Sequence, residues 1–259
     1  MDGTGNVRQI INTFHAPGQD GAFIISEAVE TRNITVEGTI LSDTPTQAES
    51  MKARLRQVFT PKSRGLFYIR GRRIPCVVEE VVFTEGVNAR HPAFFVSLLC
   101  PSPFFESPEP VRVELAAWLG LFGFPLEIPE DIGIEMGRRE PRQIIGVHNA
   151  GDVPSGCEIR FSALGELTNP ELRNVDTGEV FRLEKTMAAG EEICVYTHFA
   201  EKRVIQRLGG VVSNAFNAMD SDSTFLQLAP GTNTLRYHAD SNLDSLEVNI
   251  YFRPLFLGA

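Results

Sequence analysis

Apolar and polar residues alternate over short stretches along most of this chain. From Asn33 to Leu41, Ile34, Val36 and Ile40 alternate with Thr35, Glu37 and Thr39. Successive strand side chains point to opposite faces, so the pattern predicts a half-buried β-strand. The same period runs through Cys157, Ile159 and Phe161 against Glu158, Arg160 and Ser162, and through Leu246, Val248, Ile250 and Phe252 against Glu247, Asn249 and Tyr251. Strands that are wet on one face belong to antiparallel sheets. Residues that tolerate positive φ punctuate them: 71–73 between 66–70 and 74–83, Asp176-Thr177-Gly178 between 174–175 and 179–181, and Pro230-Gly231-Thr232-Asn233 between 225–228 and 234–237. Each is expected to close a β-hairpin.

The period changes once. Thr44 offers an N-cap, Pro45 a first helical residue and Gln47 the distal half of a capping box. Met51, Leu55, Val58 and Phe59 then share a face, and Pro61 ends the helix. That apolar stripe needs a sheet to cover it, which predicts a small β-barrel with one packed α-helix.

At 259 residues and 42% hydrophobic, the chain can bury two cores. Its charge is uneven. Residues 1–111 carry 11 basic and 12 acidic side chains, whereas 112–259 carry 13 and 21, for a total of -9. The step coincides with Pro101, Pro103, Pro108 and Pro110, which withdraw N–H donors from any sheet. A boundary is therefore expected at 105–115, separating domains 1–110 and 111–259.

An acidic surface disfavours sequence-independent nucleic-acid binding. Apolar runs fall short of the roughly 20 residues that span a bilayer; 115–124 is closed by Pro125. The start, Met1-Asp2-Gly3-Thr4-Gly5, has neither the basic nor the apolar region of a secretory signal, so a reducing compartment is expected.

Candidate chemistry is sparse. Cys76, Cys100, Cys157 and Cys194 lie 24, 57 and 37 positions apart, and read as buried thiols. His15, His91, His148, His198 and His238 are scattered. Asp176-Thr177-Gly178 matches the D-T-G of aspartic proteases, but it occurs once and in a hairpin pattern, so a turn is expected. Asp220-Ser221-Asp222-Ser223 clusters oxygens without the glycine and distal Glu of a cation loop. No hydrolase, nucleotide-binding or zinc-protease motif occurs. The expectation is no catalytic, cofactor or metal site.

Lys52, Arg54, Arg56, Lys62, Arg64, Arg70, Arg72 and Arg73 form a basic run without an acidic residue. It is expected to be a solvated helix face and hairpin tip, or a surface for an acidic protein, rather than a DNA site. Aromatic stock is 18 Phe, 4 Tyr and 1 Trp, which favours cores over sugar platforms, with Trp118 expected to pack between domains.

Ordered short segments carry a resemblance. They are Gly18-Gln19-Asp20-Gly21, Thr31-Arg32-Asn33-Ile34, Pro61-Lys62-Ser63-Arg64-Gly65, Pro101-Ser102-Pro103-Phe104-Phe105, 124–129, Asn149-Ala150-Gly151-Asp152, Leu228-Ala229-Pro230-Gly231-Thr232-Asn233 and Tyr251-Phe252-Arg253-Pro254-Leu255-Phe256. Together, from residue 18 to the end, the chain resembles the distal tail protein (Dit) family of siphophage and prophage tails. The resemblance implies a mainly β protein whose N-terminal β-barrel forms a hexameric ring on the tail tube and whose C-terminal domain is a galectin-like β-sandwich. It also implies tail tube protein, tail-tip or tail-associated lysin hub and receptor-binding proteins as partners, at the virion tail tip. The role would be a structural, non-enzymatic hub with no membrane contact. The alternative from the residues is a cell-wall carbohydrate-binding module. Family members have a longer stretch, including a first strand pair, before the segment at Gly18. With 17 residues there, a shortened start or rebuilt first strands are the two expectations.

Overall fold

The computed structural model describes residues 1–84, 89–115, 117–120, 137–140 and 144–259. The chain forms two compact units, Met1–Pro108 with Leu255–Ala259, and Glu109–Pro254. Both are built of antiparallel strands, and the protein is mainly β. The side chain of Trp118 and the segment 124–129 lie outside the described residues. No helix among the described residues is long and apolar enough to cross a membrane.

In the first unit the elements are β1 (Gln9–Phe14), β2 (Phe23–Val29), β3 (Arg32–Thr39), α1 (Pro45–Val58), β4 (Arg64–Ile69), β5 (Arg72–Thr84), β6 (Ala93–Cys100) and β7 (Phe105–Glu106). The main sheet runs Leu255–Phe256, β7, β5, β6, β3, with β4 also on β5. The first half of β5 pairs with β4 and its second half with β6, and the register shifts between Val78 and Glu80. Such a bulge bends and twists a strand. Inward residues Ile34, Ile74, Cys76, Val96, Leu98, Cys100 and Phe105 form the core. Arg70 and Gly71, both at positive φ, make the two-residue turn from β4 to β5 that the right-handed strand twist prefers. Gly38 faces Phe94 across β3 and β6 so closely that a Cβ would sit 2.5 Å from the ring, and no larger residue fits without displacing it.

Helix α1 is capped as its sequence requires: Thr44 is extended and its Oγ1 accepts from Gln47 N at 3.3 Å, while Gln47 Oε1 accepts from Asp43 N. Its buried face differs from the expected one. Ala48 and Lys52 are buried, Leu55 and Phe59 half-buried, and Met51 and Val58 exposed. The two stripes share Leu55 and Phe59 but are rotated about the axis. Lys52 can occupy the inner one because its stem packs while its ammonium reaches Glu49 Oε1 at 2.7 Å.

The last five residues were expected with the second domain and instead belong to the first unit. Leu255 and Phe256 pair with Glu106 and Phe105. Arg32, only 6% exposed, donates to the carbonyls of Pro103 (2.7 Å), Gly3 (2.6 Å), Gly5 (2.7 Å) and Leu257 (2.6 Å), and its guanidinium lies over the Phe105 ring. Arg72 stacks on Phe256 and donates to Gly258 O, and Arg70 donates to Ala259 O. A planar fork of five donors suits this convergence of main-chain carbonyls, which one ammonium could not serve. Arg73 pairs with Glu106 at 3.0 Å across β5 and β7. Within the basic run Lys52, Arg72 and Arg73 are thus held inside the unit, whereas Arg54, Arg56, Lys62, Arg64 and Arg70 are exposed, as expected of a solvated helix face and hairpin tip.

The second unit is a β-sandwich. One sheet orders Val211–Asn214, Glu201–Leu208, Glu192–His198, Ser155–Ala163, Leu246–Phe252 and Val111–Glu114; the other orders Ile144–Asn149, Gly231–His238, Glu171–Asn174 and Val180–Arg182. Cys157, Ile159, Phe161, Val195 and Ile250 of the first share one core with Val147, Leu172, Phe181, Leu235 and Tyr237 of the second. The turn at Asp176 joins Glu171–Asn174 to Val180–Arg182, a hairpin as expected. The segment 230–233 does not close one: Gln227–Leu228 pairs with Ser155 and Gly156 while Gly231–His238 joins the other sheet. Asn233 stitches this corner, accepting from Ala229 N and donating to Ala229 O, both at 2.8 Å.

Candidate assembly surfaces

Among the described residues, strands β1 and β2 pair only with each other. The pairing follows from local chemistry: Ile and Phe populate both strands, with Thr13 in β1 and Val29 in β2, Gly18 and Gly21 turn the loop at positive φ, and Asn12–Ser26 and Gln9–Glu27 hydrogen bonds of 2.9 Å tie the strands together. What it lacks is a cover. Ile10, Ile11, Phe14, Phe23, Ile24, Ile25 and Val29 are 42–67% exposed. Directly opposed residues share a face. Ile10, Phe14 and Phe23 therefore mark one face, and Ile11, Ile24 and Val29 the other. A lone hairpin is marginal in water, and exposed apolar surface of this kind marks an interaction site. The sequence reading noticed only the glycines of its loop. Ile10-Ile11 and Phe23-Ile24-Ile25, apolar on consecutive positions, signal two strands with two apolar faces each, though not that those faces stay uncovered. β1 precedes Gly18, and Asp2 bridges to Thr35 of β3.

A second open surface lies on β4. Among the described residues only β5 pairs with it, so its outer edge presents unpaired N–H and C=O groups. Leu66 and Tyr68, at the outward positions where polar residues are usual, are exposed. Lys62 and Arg64 at its start are exposed, and neither side chain has a partner among the described residues. Beside the start of α1 a cavity of about 500 Å³ is lined by Leu41, Asp43, Met51, Arg54 and His91 among others.

The chemical candidates are structural. All four cysteines are buried and free, and burial pushes the thiols of Cys100, Cys157 and Cys194 up to about 12. Asp176 Oδ2 accepts from Thr234 N at 2.6 Å, which ties its turn to the neighbouring strand. The loop 220–223 is pinned to Arg182: Ser223 Oγ bonds both the N–H and the C=O of Arg182, and Asp220 lies 3.9 Å from its guanidinium, which also reaches Glu171 and Asp240. Asn169 Nδ2 donates to Asp240 Oδ2, and this bond together with Arg182 holds the Asp240 carboxyl below its usual range. His15 lies by Gly21 O and His148 by Thr232 Oγ1, in different units. No group of three metal-ligating side chains occurs among the described residues. Phe199, wholly exposed, tips the turn after Glu192–His198, and Val211 and Val212 are exposed on the edge strand.

Among curated proteins, no sequence matches. Of solved structures, the SPP1 Dit protein, described as a paradigm of the hub adsorption apparatus in phages infecting Gram-positive bacteria, superposes with a TM-score of 0.73 at 16% identity, covering 98% of this chain and 91% of that one. The phage P2 baseplate in its activated conformation with calcium gives 0.48 at 10% identity over 96% and 87% of the chains. The strontium form gives 0.48 at 9% identity over the same shares. Residues 1–100 match the family of phage tail protein RIFT-related domains, and residues 150–256 match the C-terminal domain of the siphovirus-type tail component. With one tail-protein domain in each half and the SPP1 Dit fold throughout, this chain belongs to the siphophage distal tail protein family and is a component of the virion tail.

Proposed function

We propose that the protein is a structural hub: six copies form a ring through the first unit at the end of the tail tube, and the ring joins the tube to baseplate or tail-tip and receptor-binding proteins. It assembles in the host cytoplasm and performs no chemistry of its own. The observation that carries this reading is the β1–β2 hairpin, apolar on both faces and covered on neither. A monomer gains nothing from such an arm, whereas an assembly buries it. The second unit, with its own closed core and the larger share of the acidic residues, is the soluble partner-facing module.

Native mass spectrometry of the purified full chain tests the reading. The expected species is six times 28.7 kDa. A chain that stays monomeric at every concentration, alone and with tail tube protein, refutes it.

A further inference from the structure

We propose that the β1–β2 hairpin of one protomer docks on the open edge of β4 in a second copy, head to tail. The proposal rests on the ring reading above and specifies which surfaces make the contact.

Three observations point to this pairing. First, the hairpin has two apolar faces and cannot be covered by one flat contact, while β4 offers both an unpaired backbone edge and the exposed side chains of Leu66 and Tyr68. Strand addition at such an edge satisfies main-chain groups and buries alternate side chains together. Second, the charges are complementary. Residues 7–30 carry Arg8 against Asp20, Glu27 and Glu30, whereas 61–70 carry Lys62, Arg64 and Arg70 with no acidic residue. Arg8 is already engaged by Glu30 at 3.3 Å and Arg70 by Ala259 O, while Glu27 accepts from the neutral Gln9 amide at 2.9 Å and keeps its charge uncompensated, so Asp20 and Glu27 on the arm face Lys62 and Arg64 on the edge. Third, both surfaces belong to one chain and differ from each other. An identical copy therefore supplies what each lacks, and a contact between unlike surfaces repeats around a ring rather than ending at a dimer.

Two variants of the full chain separate the surfaces: Ile11→Asp with Ile24→Asp on the arm, and Leu66→Asp with Tyr68→Asp on the edge. Each is expected to lose the ring by native mass spectrometry while its melting temperature stays near that of the wild type, because the replaced side chains are exposed in the protomer. Mixing the two restores one intact arm and one intact edge, so a heterodimer forms. A ring that survives in the arm variant, or a mixture that stays monomeric, overturns the docking and leaves the hub reading standing. Crosslinking then distinguishes the converse case. Single variants Ile24→Cys and Tyr68→Cys, mixed and oxidised, should form a disulfide-linked heterodimer, since the four native thiols are buried. A wild type without rings that nevertheless gives this crosslink loses the hub reading and keeps the docking. A disulfide dimer of Ile24→Cys alone shows arm-to-arm contact and overturns it.

Discussion

Replacing Arg32 by Met should destabilise the first unit selectively. Met has a stem of similar length but no donor, so the carbonyls of Gly3, Gly5, Pro103 and Leu257 lose their common partner. Each buried acceptor left unpaired costs about 1–3 kcal/mol. The sum overstates the loss, because the segments bearing Gly3, Gly5 and Leu257 can peel away to water. The guanidinium also pays desolvation in the native state; among the described residues no carboxylate faces it, and burial pulls its pKa below the usual arginine value. A net cost of about 3–5 kcal/mol is the expected balance, out of the roughly 5–15 kcal/mol a domain possesses. At ~4–8 °C per kcal/mol for a unit of this size, the first calorimetric transition should fall by more than ten degrees and the second stay put. Arg32→Lys should recover little of it, since one ammonium cannot reach four carbonyls in fork geometry. Hydrogen exchange gives an independent readout: Ala259 N–H, bonded to Thr4 O, and Thr35 N–H, bonded to Asp2 O, should lose protection first. If Arg32→Met costs under about 1 kcal/mol, or destabilises both units alike, the clamp is not what holds the terminal segments.

On α1, Leu55→Asp should lower the first-unit melting temperature by several degrees, while Val58→Asp, on the exposed face, should stay within about 0.5 kcal/mol of wild type by thermal denaturation. Aromatic disulfide reagents at pH 8 should find almost no native thiol, since a group titrating near 12 is about one part in ten thousand thiolate there, and all four should react after unfolding in guanidinium. A fast-reacting native thiol would contradict the buried placement. Because the Asp240 carboxyl is depressed in the folded state, its contribution is present above the ordinary carboxylate range of about 3.9 and disappears as pH falls through the lower folded value. Asp240→Asn should therefore flatten the acid limb of second-unit stability, read from urea midpoints between pH 2 and 5, and an unchanged limb would exclude this group as its source.

The sequence by itself determined the elements whose causes are local. Thr44, Pro45 and Gln47 start α1 because capping is settled within four residues, and Gly71 marked a hairpin there, although the turn is Arg70–Gly71, one residue earlier than the 71–73 expected, with Arg72 and Arg73 in β5. Two-residue alternation around Ile34, Ile159 and Val248 announced strands with one dry face, and their number announced a mainly β protein. The absence of chemical motifs and the ordered short segments pointed to a structural tail component. Only the tertiary structure decided which face of α1 is dry: the stripe through Met51 and Val58 and that through Ala48 and Lys52 differ by a rotation that the packing partner selects. It also decided that Leu255–Ala259 returns to the first unit, through contacts with Arg32, Arg70 and Arg72 that span most of the chain. The residues at 230–233 look like any hairpin turn, yet the strands on either side part to different sheets. Likewise, nothing in Ile10-Ile11 or Phe23-Ile24-Ile25 says that the unit leaves them uncovered. The physical reason is the same in each case. Turn and cap chemistry acts over a few bonds, whereas strand pairing and face selection depend on loop closure and on which distant surface completes the core.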